Sequence, residues 1–105
     1  MPSLLARRIC RNHAIKITDE IHHLMPKRFR TKIFPKEHTE LLQRVFLDCV
    51  VHFRTNNDLV QFCNQVRANA LKVVINALTQ HHYEFTFRVD KLKNIIRYIV
   101  ETHNF

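Results

Sequence analysis

The sequence predicts an all-α protein, a small helical bundle, and three observations lead there. The 105 residues contain no glycine, where an ordinary chain carries about 7 %. Tight hairpins and left-handed turns depend on glycine, and a helical chain tolerates its loss best. Long segments repeat apolar residues at three-and-four spacing, the helical period. A single short segment alternates with strand period, and one strand has nothing to pair with inside the chain. The length suits one domain over residues 1–105.

Ser3 is placed to cap a first helix running to about Leu24. Cys10, Ala14, Ile17, Ile21 and Leu24 step by four, three, four and three, a heptad seam suited to a partner helix. That seam predicts a homodimer. Met25-Pro26 ends the helix, because the residue before proline avoids helical geometry. The connector Lys27 to Lys36 holds five cations in ten residues, interleaved with Phe29, Ile33 and Phe34. Lys27, Arg28, Arg30 and Lys32 are candidates to face a phosphate backbone while the aromatics anchor the segment. A second helix starts after Pro35 and runs to about Arg54. Its stripe is Leu42, Val45, Phe46, Cys49, Val50 and Phe53. Asn56, Asn57 and Asp58 offer turn and cap chemistry before a third helix, about Asp58 to Thr79. Tyr83, Phe85, Phe87 and Val89 then alternate with polar residues, an extended connector or a dimer edge. Asp90 can cap a last helix with Leu92, Ile95, Ile96, Ile99 and Val100 facing inward.

The charge narrows the function. Lys and Arg number 17 against 9 Asp and Glu, a formal balance of +8 and a pI near 9.9. Such a chain suits a polyanion or an anionic surface. The missing glycines exclude a phosphate-cradling loop and a dinucleotide fingerprint. No carboxylate pair or triad order stands out, so the reading is not an enzyme, with no catalytic residues and no cofactor. Cys10, Cys49 and Cys63 are widely spaced and odd in number, which fits free thiols in a reducing compartment. Cys10 with His13 and Cys49 with His52 have ligand spacing, but both cysteines sit on apolar stripes, so no metal is assigned. The eight histidines read first as surface or half-buried residues, and second as a charge that strengthens polyanion binding at low pH.

No apolar run is long enough to span a bilayer, and Leu4-Leu5-Ala6 is too short for a signal peptide. Arg7, Arg8, Arg11 and Lys16 without an acid resemble a mitochondrial presequence in charge, and a basic first helix is the preferred reading. Leu4, Leu5 and Ile9 make that helix the best candidate for a membrane surface. A core-facing stripe is favoured, and no membrane partner is assigned.

The third helix has two dissimilar faces. Leu59, Phe62, Val66, Ala70, Val73 and Ala77 form an apolar stripe. Gln61, Gln65, Asn69, Lys72 and Asn76, with Arg54 and Arg67 near them, form a face of amides and cations. Solvated helix faces usually mix both charge signs. Amides donate and accept toward hydroxyls, and cations neutralise phosphate, the two demands of the shallow minor groove of double-stranded RNA.

The run Asn56-Asn57-Asp58-Leu59-Val60-Gln61-Phe62-Cys63 entering a long helix resembles the small RNA-silencing suppressors of nodaviruses, the B-two type. The match covers roughly residues 54–78. The resemblance implies a viral protein of the host cytoplasm. It implies an antiparallel all-helical homodimer that binds duplex RNA without sequence preference, shields it from Dicer-type cleavage and sequesters small interfering duplexes. It also implies contact with host silencing proteins. Carried over, the RNA-contacting positions are Arg54, Gln61, Gln65, Arg67, Asn69, Lys72 and Asn76, with Cys63 near the dimer seam. The separate second helix, the alternating segment and the long last helix depart from that family.

The leading expectation is therefore sequence-independent binding of double-stranded RNA that suppresses host silencing. The alternative is a helical protein–protein adaptor whose basic face meets an acidic partner. DNA binding is a weaker third reading, separated from RNA by the 2′-hydroxyl.

Overall fold

A computed structural model of the chain describes residues 3–24 and 35–79, together with Arg97 and Glu101. Among these residues there are three long helices and no strand. We label them α1 (Leu4–Leu24), α2 (Pro35–Cys49) and α3 (Asn56–Thr79). The alternating segment Tyr83–Val89 and the candidate cations Lys27, Arg28, Arg30 and Lys32 lie outside the described residues, as do most positions of the expected last helix. Arg97 and Glu101 are helical and exposed.

Helix α1 begins as its sequence requires. The Ser3 hydroxyl accepts the Ala6 amide at 3.1 Å, and the Ser3 carbonyl accepts the Arg7 amide at 3.0 Å. Cys10, Ala14, Ile17 and Ile21 are buried, joined by Ala6 and by Thr18, whose hydroxyl donates to the Ala14 carbonyl at 2.8 Å. This seam packs against both α2 and α3. It is consumed within one chain, so it does not argue for a second copy. Two expectations for α1 are corrected. Leu24 ends the helix exposed, and Leu4 and Leu5, read as core-facing, stand 81 % and 51 % exposed while Ile9 is half-buried. The core lies on the opposite side of the first turn, at Ala6 and Cys10.

Helix α2 is shorter than its apolar pattern. It ends at Cys49, and Val50–His52 tighten into a 3-10 turn. Adjacent β-branched Val50 and Val51 are poor α-helix formers. Phe53 then becomes extended, at φ −116° and ψ 136°, with its amide donating to the Val50 carbonyl at 3.1 Å. The break has a packing consequence. Phe53 sets its ring 4.8 Å from that of Phe62, while Phe46 meets Phe62 edge-on at 5.9 Å and 76°. Leu42 and Phe46 are fully buried.

Helix α3 starts two residues before the expected Asp58. The cap is Thr55: its hydroxyl accepts the Asp58 amide at 3.1 Å and its carbonyl the Leu59 amide at 3.2 Å. Thr55→Ala is expected to lower stability by about 1 kcal/mol in urea unfolding. An unchanged midpoint would mean that the cap contributes nothing. Leu59, Phe62, Cys63, Val66, Ala70 and Val74 are buried. Val73, read as part of the stripe, is instead 40 % exposed, and the Ala77 side chain lies outside the described set. The reason is geometric. Leu59, Val66 and Val73 are seven apart, and a straight helix drifts about 20° per heptad, so the core passes to Val74. Cys63, placed near a dimer seam by the resemblance, is wholly buried in the single-chain core.

Candidate nucleic-acid interface

The amide side of α3 lies open. Gln61, Asn69, Lys72 and Asn76 are exposed, and Gln65 is half-buried. At about 100° per residue these five positions share an arc of about 80°, and from Gln61 to Asn76 they cover about 22 Å of helix. Asp58 in the first turn is the sole carboxylate of α3. Arg54 is exposed in the bend that leads into the helix.

The side chains along this arc are not equally available. Asn69 donates its amide to the Gln65 carbonyl at 2.8 Å, which fixes its orientation along the helix. The Gln65 Oε1 is closed off without a hydrogen-bond partner among the described residues, so Gln65 offers solvent less than its neighbours. Gln61, Lys72 and Asn76 are the other exposed positions of the arc.

Arg67 belongs elsewhere. It lies two residues from Asn69, about 160° round the helix, and its Nε donates to the Glu20 Oε2 of α1 at 2.7 Å. That hydrogen bond, with the charge behind it, pushes the guanidinium pKa further up. The pair ties α3 to α1 rather than adding a cation to the amide arc, and solvent screens it in its partly exposed setting. The face therefore carries amides with one cation, Lys72, and takes Arg54 from the preceding bend.

Cys10, Cys49 and Cys63, one near or on each helix, are free. Burial pushes the Cys10 thiol up to about 11, with the neighbouring Cys49 adding to the shift. Burial also raises Cys63 and Cys49. Raised thiols are poor nucleophiles at neutral pH. Among the described residues no group of three or more His, Cys, Asp or Glu is arranged to hold a metal. No described helix is long and apolar enough to cross a membrane.

His13 and His38 are both lowered by burial. Lys16 and Arg67 lower His13 further, whereas Glu37 partly opposes the shift at His38. Both are thus held neutral by the fold, and the unfolded chain takes up their protons first. Stability is then full above the ordinary imidazole value of about 6.5 and is lost as pH falls below it toward the folded values. Urea midpoints measured from pH 7.5 to 5 should fall, and His13→Gln should flatten the fall. A midpoint that rises on acidification contradicts this assignment.

No known protein family, curated protein or solved structure matches this chain.

Proposed function

We propose that this protein binds double-stranded RNA without sequence preference through the open side of α3, and that the binding suppresses RNA silencing. The observation that carries the reading is the exposed arc of Gln61, Asn69, Lys72 and Asn76, free of carboxylates beyond the first turn. Amides serve ribose hydroxyls as donor and acceptor together. Lys72 and Arg54 serve phosphate and release counterions. A-form RNA hides its base edges in a deep narrow groove, so a protein with this chemistry reads shape and hydroxyls rather than sequence.

The silencing role rests on the resemblance of residues 54–78 to nodaviral suppressors, which also motivates a homodimer. With the α1 seam consumed inside the chain, contact between copies must use another surface.

The deciding measurement is affinity for duplex RNA, duplex DNA and single-stranded RNA of equal length, each across salt. Duplex RNA should bind most tightly, with unrelated sequences equivalent. Equal binding to all three would reduce the interaction to charge alone. No binding at moderate salt, with capture of an acidic protein instead, would favour the adaptor reading.

A further inference from the structure

The N-terminal part of α1 carries a second unusual surface. Leu4, Arg8, Arg11 and Ile15 are spaced four, three and four apart, so they form one stripe along the helix. Leu4 is 81 % exposed, Ile15 37 %, and both arginines are exposed, with Leu5 beside them. Leu4, Arg7, Arg8 and Arg11 border a shallow groove of about 240 Å³ that Gln43 of α2 closes. The first turn of α1 has no acid, and none precedes Asp19 in the sequence. Single exposed leucines are ordinary on a protein surface. Two adjacent ones, continuous with arginines and a further isoleucine, form a ridge that is both apolar and cationic.

We infer that this ridge docks onto an anionic lipid surface, with Leu4 and Leu5 entering the acyl boundary and Arg8 and Arg11 meeting headgroup phosphates. The assignment differs from the sequence expectation of no membrane partner, which took Leu4 and Leu5 to face the core. The ridge needs an occupant that answers both chemistries within a turn of helix. A nucleic-acid backbone satisfies the arginines and offers two exposed leucines nothing. A peptide or small molecule needs a recess that takes in the whole ridge: the groove beside Leu4 and Arg8 holds only about 240 Å³, below the usual range of about 300–1,000 Å³, and the larger recess of about 480 Å³ that Arg11 and Ile15 share with α2 is bordered by Asp19 and Glu40 and leaves Leu4, Leu5 and Arg8 outside it. A bilayer surface is flat and layered, phosphate above hydrocarbon, which is the order an amphipathic helix requires. The ridge is also separate from the amide arc. Ile15 and Glu20 are five residues apart, about 140° round α1, so the ridge turns away from the edge where Glu20 meets Arg67 of α3.

The test is flotation of the full chain with phosphatidylcholine vesicles, with and without phosphatidylserine, alongside three double variants. The wild type should float with the anionic vesicles and stay behind with the neutral ones. Arg8→Ala/Arg11→Ala should cut partition about twenty-fivefold, at about fivefold per arginine. Leu4→Ser/Leu5→Ser should lose binding too, including at salt high enough to screen charge. Both leucines are exposed, so circular dichroism of that variant should match the wild type. Arg44→Ala/Arg97→Ala removes two exposed cations elsewhere and should float as the wild type does. The proposal is overturned if the wild type ignores anionic vesicles. It is equally overturned if the leucine variant floats unchanged, because the attraction is then general basicity. Displacement of the protein from vesicles by duplex RNA, with the arginine variant losing both ligands in parallel, would transfer the ridge to nucleic acid. The vesicle readouts themselves do not depend on the function proposed for α3.

Discussion

Phe62→Ala should destabilise the protein by about 3–5 kcal/mol in urea unfolding, a large fraction of the 5–15 kcal/mol typical of a folded domain. Phe62 is fully buried and receives the ring of Phe46 at 5.9 Å and that of Phe53 at 4.8 Å. Removing it opens a cavity where α2, the 3-10 turn and α3 converge, and both neighbouring rings lose a packing partner. Phe53→Ala should cost less, because Phe53 is only half-buried. Phe62→Leu, which keeps most of the volume, should recover much of the loss. If Phe62→Ala and Phe53→Ala shift the midpoint equally, Phe62 is not the centre of this cluster.

Arg54→Ala/Lys72→Ala should weaken binding of duplex RNA alike for unrelated sequences. Each phosphate contact contributes about 0.9 to the slope of log affinity against log salt, so the pair should flatten it by about two units. Arg67→Ala should leave the slope as it was, because its guanidinium is held by Glu20 on the other flank of α3. Gln61→Ala/Asn76→Ala should behave differently: affinity for RNA should fall about fivefold per lost hydrogen bond, while affinity for DNA stays, since only RNA has the hydroxyl those amides meet. A slope that changes with Arg67 and not with Lys72 would move the contact surface to the wrong side of the helix. Both experiments are read against circular dichroism, and the exposed positions chosen should leave the fold intact.

Local sequence signals foretold the helices better than their ends or their neighbours. The Ser3 cap and the start of α2 at Pro35 were legible because both depend on a few adjacent residues. The Thr55 cap was missed, although Thr55 with Asp58 three residues on, ahead of Leu59 and Phe62, is a recognisable helix-start pattern. The early end of α2 had a signal too, in the β-branched pair Val50-Val51. The amide arc of α3 was legible because exposed polar residues repeat at the helical period. Arg67 was grouped with it by nearness in sequence, when its angle on the helix already set it apart.

The sequence by itself determined the helical class, the main apolar stripes and the existence of an amide-rich side on the third helix. These follow from periodicity and from the absence of glycine, both properties of the chain read along its length. Only the tertiary structure decided that the α1 seam is filled by the chain's own helices, that Arg67 is claimed by Glu20 and that Leu4 and Leu5 are left outside. Each of these depends on a partner distant in sequence, and a periodic pattern specifies which direction a side chain points without naming what it meets there.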